Sequence, residues 1–475
     1  MNYAEFLGMG AEMTLMVVII LLFIYDTFAP SKCGKYLPIT AITLLGIQTL
    51  YLAFGNFADV SLFGGLYISG SAEQVAKIIL NIGTILVFIQ AASWVKDGDM
   101  QIRRGEYYVL TLITLLGMYF MMSAQNFLLF FLGLETASLP MTALVAIEKY
   151  KQNSYEAAAK YLFFAVFSSA LMLLGMSYIY GVTGTLYYNG ILSNITASPL
   201  TILAVVLFIA GMGFKLSLVP FHLWTADVYQ GAPTVVTSYL SVISKGAAAY
   251  AFMMVLKDAF GTADLVWLTV MYAIIILTIT VGNLFAIRQQ NIKRFLAFSS
   301  ISQAGYIMLG IMACNAHGAT SLLYYVLVYI FSNIAAFAVA GAIERASGKL
   351  NISDYDGLYK TNPKLSVAMM LAMFSLAGIP PFAGFFSKFF IFYSAIETGT
   401  TGMYILVFIA LLNTIISLYY YLLVVKAMFL KDSEAPIATI KSDGYTKAVV
   451  FITVAGIILL GLVSWVYDYI YGMVI

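Results

Sequence analysis

Long apolar runs separated by short polar segments cover almost the whole of this 475-residue chain. Fourteen of these runs are long enough to cross a bilayer, for which a helix needs roughly 20 apolar residues. Charged residues make up only 10% of the sequence, whereas a soluble domain carries about 25%. The sequence therefore predicts an all-α polytopic membrane protein and excludes a soluble enzyme. Its net charge of +2 gives no indication of nucleic-acid binding.

The predicted spans lie between polar breaks. They fall near 9–29, 37–54, 72–95, 105–123, 126–147, 155–181, 199–229, 234–257, 264–286, 293–313, 319–343, 363–396, 403–429 and 445–471. Basic residues test this count, because eighteen of the 24 Lys and Arg residues fall in odd-numbered loops and only Lys257 falls in an even-numbered one. Since cytoplasmic loops are the basic ones, an even number of spans places both termini on the outer side.

Five lysines lie inside the predicted spans, where a lysine costs about 2.5–3.5 kcal/mol at the helix centre. They are Lys77, Lys160, Lys215, Lys245 and Lys388. Lys77 lies close to a helix end and Lys160 lies close to Glu156, so either could extend its ammonium group to the interface. Lys215, Lys245 and Lys388 lie deeper, and ionisable residues inside a membrane are functional by default.

One acidic residue, Glu135, stands alone within the apolar stretch LLFFLGLETASLPMTAL, about half-way through its span. A buried carboxylate needs either a partner or a proton. The sequence leaves two interpretations open, a structural ion pair and a proton-transfer site.

Prolines interrupt the seventh and twelfth predicted spans. Pro220 lies in GFKLSLVPFHLWTADVYQGAPT, and Pro380 and Pro381 lie in AGIPPFAGFFSKFFIF. Freed backbone groups are tolerated in a membrane only inside protein or beside a water-filled cavity. Discontinuous helices mark ion or substrate sites in transporters, although a plain kink would account for Pro220 alone.

The two broken spans are five spans apart, and this spacing indicates two inverted five-helix repeats. Helices 4–8 form the first and helices 9–13 the second, so helices 7 and 12 are the broken ones. We therefore divide the single membrane domain, 1–475, into four parts. They are three N-terminal helices over 1–98, a first repeat over 105–257, a second repeat over 264–429 and a C-terminal helix over 445–475.

Buried lysines together with a carboxylate favour proton movement. A buried lysine changes readily between its charged and neutral forms, and a nearby carboxylate favours the charged form. Hydroxyl groups and water could relay protons between the lysines. The candidate hydroxyls, each of which also suits ordinary helix packing, are Ser217, Thr237, Ser241, Ser244, Ser299, Ser300, Ser302, Tyr306 and Ser387. His222 is either an auxiliary relay near neutral pH or a cap for the freed backbone.

The sequence carries no recognisable motif for an energy source or a redox centre. It has no GxxxxGK followed by Ser or Thr, no paired transmembrane histidines for haem and no cysteine cluster for iron–sulfur. We therefore expect the energy for transport to come from a partner or from an ion gradient.

Five motifs occur in order along the spans: FLGLETASLP, KLSLVPFHLWTADVYQGAPT, SKGAAAY, KRFLAFSSISQAGY and AGIPPFAGFFSKF. Together they resemble the antiporter-like subunits of respiratory complex I, the bacterial NADH–quinone oxidoreductase, over nearly all of the chain. This family is similar to the Mrp-type cation/proton antiporters. Among its L, M and N types, the chain looks most like the N type. Lys388 stands where M-type chains carry glutamate, L-type chains run on into a long lateral helix after helix fourteen, and FHLWTADVYQGAPT and SSISQAGY look most like N-type chains.

The resemblance implies a role for each buried charge. Glu135 matches the glutamate that pairs with the lysine of the first broken helix, here Lys215. Lys245 matches the central lysine of helix eight, and Lys388 matches the terminal lysine of the proton route towards the outer side. Lys160 falls where a further lysine of helix six occurs, as an auxiliary relay.

The resemblance also implies partners and a location. In this family the flavin, the iron–sulfur clusters and the quinone site belong to other subunits, so we expect neither cofactor nor metal in this chain. We expect it in a bacterial inner membrane, packed against sibling antiporter-like subunits. Some relatives carry histidine where Gln303 stands. If that histidine relays protons in the relatives, Gln303 cannot do so by titrating, and water must bridge the position in this chain.

Three functions remain open at this point. The first is a proton-translocating subunit of complex I, driven by redox chemistry in its partners. The second is an Mrp-type cation/proton antiporter subunit with no redox link. The third is a structural membrane scaffold whose buried charges only pair with one another.

Overall fold

A computed structural model describes residues 3–28, 33–55, 59–261, 267–463 and 465–474. The α-helices of the first half are α1 Gly10–Phe28, α2 Leu37–Phe54, α3 Ser71–Trp94, α4 Met100–Met122, α5 Phe127–Val145, α6 Gln152–Thr183, α7 Tyr188–Asn194, α8 Pro199–Leu216, α9 Leu223–Gly231, α10 Thr234–Tyr239 and α11 Lys245–Val255. Those of the second half are α12 Trp267–Ile287, α13 Ile292–Ala313, α14 Ala316–Ser347, α15 Leu358–Thr361, α16 Pro363–Ala377, α17 Ala383–Glu397, α18 Thr401–Leu430, α19 Gly444–Leu462 and α20 Trp465–Val474.

Thirteen helical stretches of the described residues are long and apolar enough to cross a membrane, and α16 is a shorter apolar helix. Together they correspond to the fourteen predicted spans, so the predicted all-α membrane class is confirmed. The predicted seventh span divides into α8 and α9, and the twelfth divides into α16 and α17. Each division falls at the prolines that the sequence analysis singled out.

The eighth span is one continuous helix over Thr234–Phe260. It contains α10 and α11, joined by a π-helical turn at Leu240–Ser244, and it ends in a second π-helical turn at Leu256–Phe260. Lys245 is the first residue after the first π-helical turn. Such turns are frequent at functional sites, so the backbone itself distinguishes the position of this lysine.

Three details differ from the predicted spans. The predicted span over 445–471 ends early, because α19 stops at Leu462 and Val463 has an extended backbone (φ −110°, ψ 95°). The following helix, α20, is separate. Between spans, α7 and an antiparallel pair of strands, β1 (Val60–Leu62) and β2 (Tyr67–Ser69), are too short to have left a periodic signal in the sequence.

The helix over Thr234–Phe260, which carries Lys245, and α13 lie at the centre of the molecule. The most apolar windows of α13 and of Thr234–Phe260 are 100% and 94% buried within the chain, whereas those of α1 and α19 are 28% buried. Large apolar side chains such as Phe163 and Phe167 are exposed on the periphery. A lipid environment is as apolar as these side chains, so the periphery suits contact with lipid or with neighbouring membrane proteins.

Candidate functional site

The first broken helix ends in a left-handed turn. Ser217 has φ 60° and ψ 38°, and the N–H of Leu218 donates to the carbonyl of Gly213 at 2.7 Å. The N–H of Val219 donates to the Thr278 hydroxyl of α12 at 3.0 Å. These two N–H groups at the break are therefore satisfied inside the protein, as a membrane requires.

Lys215 lies in the last turn of α8, two residues before Ser217. Its side chain is buried, and within the described chain its Nζ has no hydrogen-bond partner. The same holds for the Ser217 hydroxyl, the Thr225 hydroxyl and Nδ1 of His222. Buried polar atoms without a protein partner are commonly bridged by internal water. The first break therefore gathers polar groups that suit a hydrated site.

Glu135 and Lys215 do not contact one another. The Glu135 carboxylate, half-buried on α5, accepts a hydrogen bond from the Ser169 hydroxyl of α6. No ion pair of 4.0 Å or less joins it to Lys215. The pair that the family resemblance implies is thus open in this conformation. Ser169 has no sequence signal that separates it from a packing hydroxyl.

Lys245 is buried where α11 crosses α13. Its Nζ donates to the Ser300 hydroxyl at 2.9 Å and lies 5.6 Å from the centre of the Tyr229 ring. Among the described residues it forms no ion pair within 4.0 Å. Lys245 is therefore held by the hydroxyl and, at 3.4 Å, the carbonyl of Ser300 and by an aromatic face, none of which carries a full charge.

The second broken helix follows the same backbone plan as the first. Gly378 ends α16 in the left-handed region (φ 88°), and the N–H of Ile379 donates to the carbonyl of Phe374 at 3.0 Å. The peptide bonds before Pro220 and Pro381 are both cis, and Pro380 precedes the second of them. Each break thus ends its helix with a left-handed residue and a hydrogen bond that reaches five residues back.

Lys388 turns back from α17 to the freed end of α16. Its Nζ donates to the carbonyls of Leu376 and Ala377 at 3.0 and 2.9 Å, and it lies 5.1 Å from the centre of the Tyr306 ring. The last carbonyls of a helix lack intrahelical partners and carry partial negative charge. The break therefore supplies the acceptors that the buried ammonium group needs.

Gln303 connects Lys388 with a group of buried tyrosines. Its Nε2 donates to the carbonyl of Leu376 at 3.2 Å and to the Tyr421 hydroxyl at 3.1 Å. The Tyr325 hydroxyl donates to its Oε1. Gln303 and Lys388 thus share the Leu376 carbonyl as an acceptor. A side chain that does not titrate occupies this junction, and its hydrogen bonds fix the positions of its neighbours.

A small cavity lies between Gln303 and Lys388. It offers about 10 Å³ to the centre of a water molecule, which is roughly the room for one water site. The Tyr329 hydroxyl, which lines the cavity, has no partner among the described residues. A single water here would have several polar neighbours on the side of Lys388 that faces the core.

We expect Gly384→Ala to lower the amount of assembled protein in the membrane. A Cβ at Gly384 would overlap the carbonyl oxygen of Ser375, and overpacking of this kind costs about 1–3 kcal/mol. The matched control is Gly444→Ala, also in the first turn of a helix, where nothing lies within 4 Å of the added carbon. Immunoblots of membrane fractions measure both variants. Equal amounts would show that the contact of α16 with α17 is looser than described.

Lys160 and His222 lie outside the buried row. Lys160 is about 40% exposed and pairs with Glu156 and Asp227, each at 2.9 Å. Asp227 also pairs with Arg294 at 2.6 Å. His222 occupies the N-cap position of α9 but makes no side-chain capping bond there. The sequence analysis overlooked Asp227, which is brought to Lys160 only by the fold.

Lys77 does not extend to the interface. Its Nζ lies 2.6 Å from the Glu12 carboxylate, and both side chains are completely buried. The interpretation of Lys77 as a residue that reaches the membrane surface is therefore wrong. The reason is that α1 and β2 enclose it, which a prediction from the position of Lys77 in its own helix could not include.

No group of three or more His, Cys, Asp or Glu in the described residues is arranged to hold a metal ion.

Comparison with known proteins gives consistent results. The family profile described as "NADH:quinone oxidoreductase/Mrp antiporter, TM" matches residues 124–417. The chain is 55% identical over 469 residues to the NADH-quinone oxidoreductase subunit N of Phocaeicola vulgatus, and the alignment covers 98% of each protein.

Solved structures extend the comparison to the fold. A chain of respiratory complex I from Thermus thermophilus superposes with a TM-score of 0.80 at 31% identity, over 95% of this chain and 97% of that one. A chain of the Mrp complex from Dietzia sp. DQ12-45-1b has a TM-score of 0.82 at 21% identity, over 100% of this chain and 97% of that one, and so shares the fold. The chain therefore belongs to the NADH:quinone oxidoreductase/Mrp antiporter membrane family, and within it to the subunit N branch.

Proposed function

We propose that this chain is a proton-translocating membrane subunit of an NADH-quinone oxidoreductase. In this proposal protons move through Glu135, Lys215, Lys245 and Lys388, driven by redox chemistry in partner subunits. The observation that carries the proposal is the burial of three lysines on separate helices in the membrane core, two of them beside helix breaks. Ionisable residues at such depth mark ion pathways and proton relays.

Unpaired polar atoms support a hydrated route between the first two lysines. The Thr225 and Tyr229 hydroxyls lie on α9, between the break at Lys215 and the side chain of Lys245, and neither has a protein partner in the described chain. The Tyr229 ring already faces Lys245. Waters bound to these hydroxyls would give a proton short steps across the gap.

The route from Lys245 to Lys388 passes along α13. Ser300 contacts Lys245, and Gln303, one turn further on, shares the Leu376 carbonyl with Lys388. Because Gln303 does not titrate, protons pass it through water, and the small cavity beside Lys388 is the place for that water. Lys388 then releases the proton towards the outer side. Lys160 and His222 play at most an auxiliary part, as a surface relay beside the first break.

The alternation of basic loops supports the orientation. Both termini face the outer, periplasmic side of a bacterial inner membrane under this rule, and α17 then runs outward from the break.

The shared backbone plan of the two breaks supports the division into two inverted repeats, over 105–257 and 264–429, between the N-terminal helices of 1–98 and the C-terminal segment of 445–475. Inverted repeats place ion sites at the bilayer midplane.

The redox chemistry belongs to the partners in this proposal. The chain itself contributes a membrane pathway, and the flavin, iron–sulfur clusters and quinone site lie in other subunits of the complex. Sibling antiporter-like subunits are the partners that pack against its apolar periphery. The second candidate function is an Mrp-type cation/proton antiporter subunit without a redox link. It is favoured by the family profile, which includes Mrp antiporters, and by the shared fold of the Dietzia chain.

Purification through an affinity tag on this chain separates the two candidates. We expect the tagged chain to co-migrate with proteins that oxidise NADH and reduce quinone, and we expect the purified complex to couple this reaction to proton movement in sealed liposomes. A complex that lacks NADH–quinone oxidoreductase activity but exchanges cations for protons would contradict the proposal and support the Mrp-type function.

A further inference from the structure

The N-terminal helices contain a buried ion pair outside the segment that matches the family profile, 124–417. Lys77 of α3 lies 2.6 Å from Glu12 of α1, and both side chains are 0% exposed. The Tyr67 hydroxyl donates to the other oxygen of Glu12 at 2.7 Å and lies 3.4 Å from Lys77. The Tyr67 and Tyr119 rings face the ammonium group at 5.5 and 5.4 Å.

Stability does not explain this pair. Removing two charges from water costs several kcal/mol for each ion, and replacing a buried pair with apolar residues is often neutral or stabilising. The pair at Lys151 and Glu148, which is accessible to water, avoids this cost. A fully buried lysine and glutamate in a membrane protein are expected to handle charge or protons.

A second buried carboxylate near the pair leaves these side chains with an excess of formal negative charge. Glu73 lies one turn before Lys77 on the same face of α3, and it is also buried. It has no ion pair within 4.0 Å among the described residues. Its oxygens accept hydrogen bonds from the backbone N–H of Gly70 at 2.9 Å and from the Tyr250 hydroxyl at 2.8 Å. The region thus holds two buried carboxylates and one lysine, and a proton shared among them would remove the excess charge.

These groups reach the helix that carries Lys245. Tyr250, which donates to Glu73, lies on α11 five residues after Lys245. On the other side of Lys245, the Tyr239 hydroxyl of α10 lies 2.9 Å from the Thr114 hydroxyl of α4.

Further along α3, polar contacts continue to α4. Asn81, one turn after Lys77, donates to Gln48 of α2 at 2.6 Å and accepts from the Tyr119 hydroxyl at 2.5 Å. Polar contacts from α3 and α4 thus reach the helix that carries Lys245 after and before this lysine.

We propose that Glu12 and Lys77 form a further proton-exchanging site, which shares protons with the Lys245 helix through Glu73 and Tyr250. In the exchange step an N–H bond of the Lys77 ammonium group breaks and an O–H bond forms on Glu12. The charged pair becomes a neutral amine and a neutral carboxylic acid, and the reverse step restores it. This inference rests on the proposed function of the lysine row.

Lys77→Arg tests the proposal in the intact complex. Arginine keeps the positive charge and the hydrogen bond to Glu12, but it does not release its proton in proteins. We expect the complex to assemble, NADH oxidation to continue, and redox-driven proton pumping by inverted membrane vesicles to fall well below that of the parent. Full pumping in the assembled Lys77→Arg complex would overturn the proposal and show that Glu12 and Lys77 form a structural ion pair. Lys360→Arg is the matched control, because Lys360 forms an exposed pair with Asp432.

A second variant covers the case in which arginine does not fit. Glu12→Gln combined with Lys77→Met removes both charges while nearly keeping the volume, so packing is retained. Assembly with loss of pumping supports the proposal, and assembly with full pumping overturns it. Lys245→Ala, measured in parallel, distinguishes a failure of the proposed function from a failure of this inference. Full pumping in Lys245→Ala contradicts the proposed function itself, whereas loss there with full pumping in the Lys77 variants contradicts only this inference.

Discussion

Lys245→Ala is expected to leave the complex assembled and to remove most of its redox-driven proton pumping. The variant deletes an ammonium group that donates to the Ser300 hydroxyl and, at 3.4 Å, to the Ser300 carbonyl, and that faces the Tyr229 ring. Removing an unpaired charge from the core relieves desolvation and offsets the cavity that alanine leaves, so we expect the complex to assemble. The proton, however, loses its central binding site between the two broken helices.

Inverted membrane vesicles give the measurement for Lys245→Ala. NADH oxidation is followed by absorbance, proton uptake by the quenching of a pH-sensitive dye, and the amount of complex by native gels. Lys360→Ala serves as the control, because its pair with Asp432 at 2.5 Å is fully on the surface. Parent-like dye quenching by an assembled Lys245→Ala complex would show that Lys245 is a packing residue.

Lys388→Met is expected to abolish proton release while weakening the second break. Methionine nearly fills the space of lysine but donates nothing to the carbonyls of Leu376 and Ala377. A buried acceptor that loses its donor costs about 1–3 kcal/mol. Since Gln303 still donates to Leu376, the larger penalty falls on Ala377, and we expect a lower melting temperature of the purified complex.

Lys388→Arg separates the two roles of this lysine. The guanidinium group can still donate to the freed carbonyls, but it keeps its proton. We therefore expect Lys388→Arg to restore the melting temperature without restoring pumping. If the arginine variant pumps like the parent, Lys388 serves to cap the broken helix and the proton leaves elsewhere.

The sequence predicts the depth of the lysines well, for a physical reason. Each of Lys215, Lys245 and Lys388 is surrounded along the chain by apolar residues that force a span, so its burial follows from local composition. Prolines likewise predict where α8 and α16 end, because they remove a backbone donor. Two left-handed residues, Ser217 and Gly378, end these helices. Of the two, only the glycine indicates in the sequence that a helix ends there.

Contacts between distant segments were beyond prediction. Glu12 and Lys77 are separated by 65 residues, and nothing in either local sequence indicates that α1 and α3 enclose them. The same applies to Ser169, which bonds Glu135, and to Asp227, which bonds Lys160. The position of Lys77 near a helix end suggested a surface lysine, because local position cannot show what a neighbouring helix covers.

The number of protons moved for each NADH oxidised tests the account most directly. The purified complex, reconstituted in sealed liposomes, allows both quantities to be recorded in the same sample. The account predicts that the combined Lys245→Ala and Lys388→Met variant oxidises NADH in an assembled complex but moves fewer protons per NADH than the parent and than Lys360→Ala. An unchanged ratio in that assembled variant would contradict the central claim that protons cross this chain through its buried lysines.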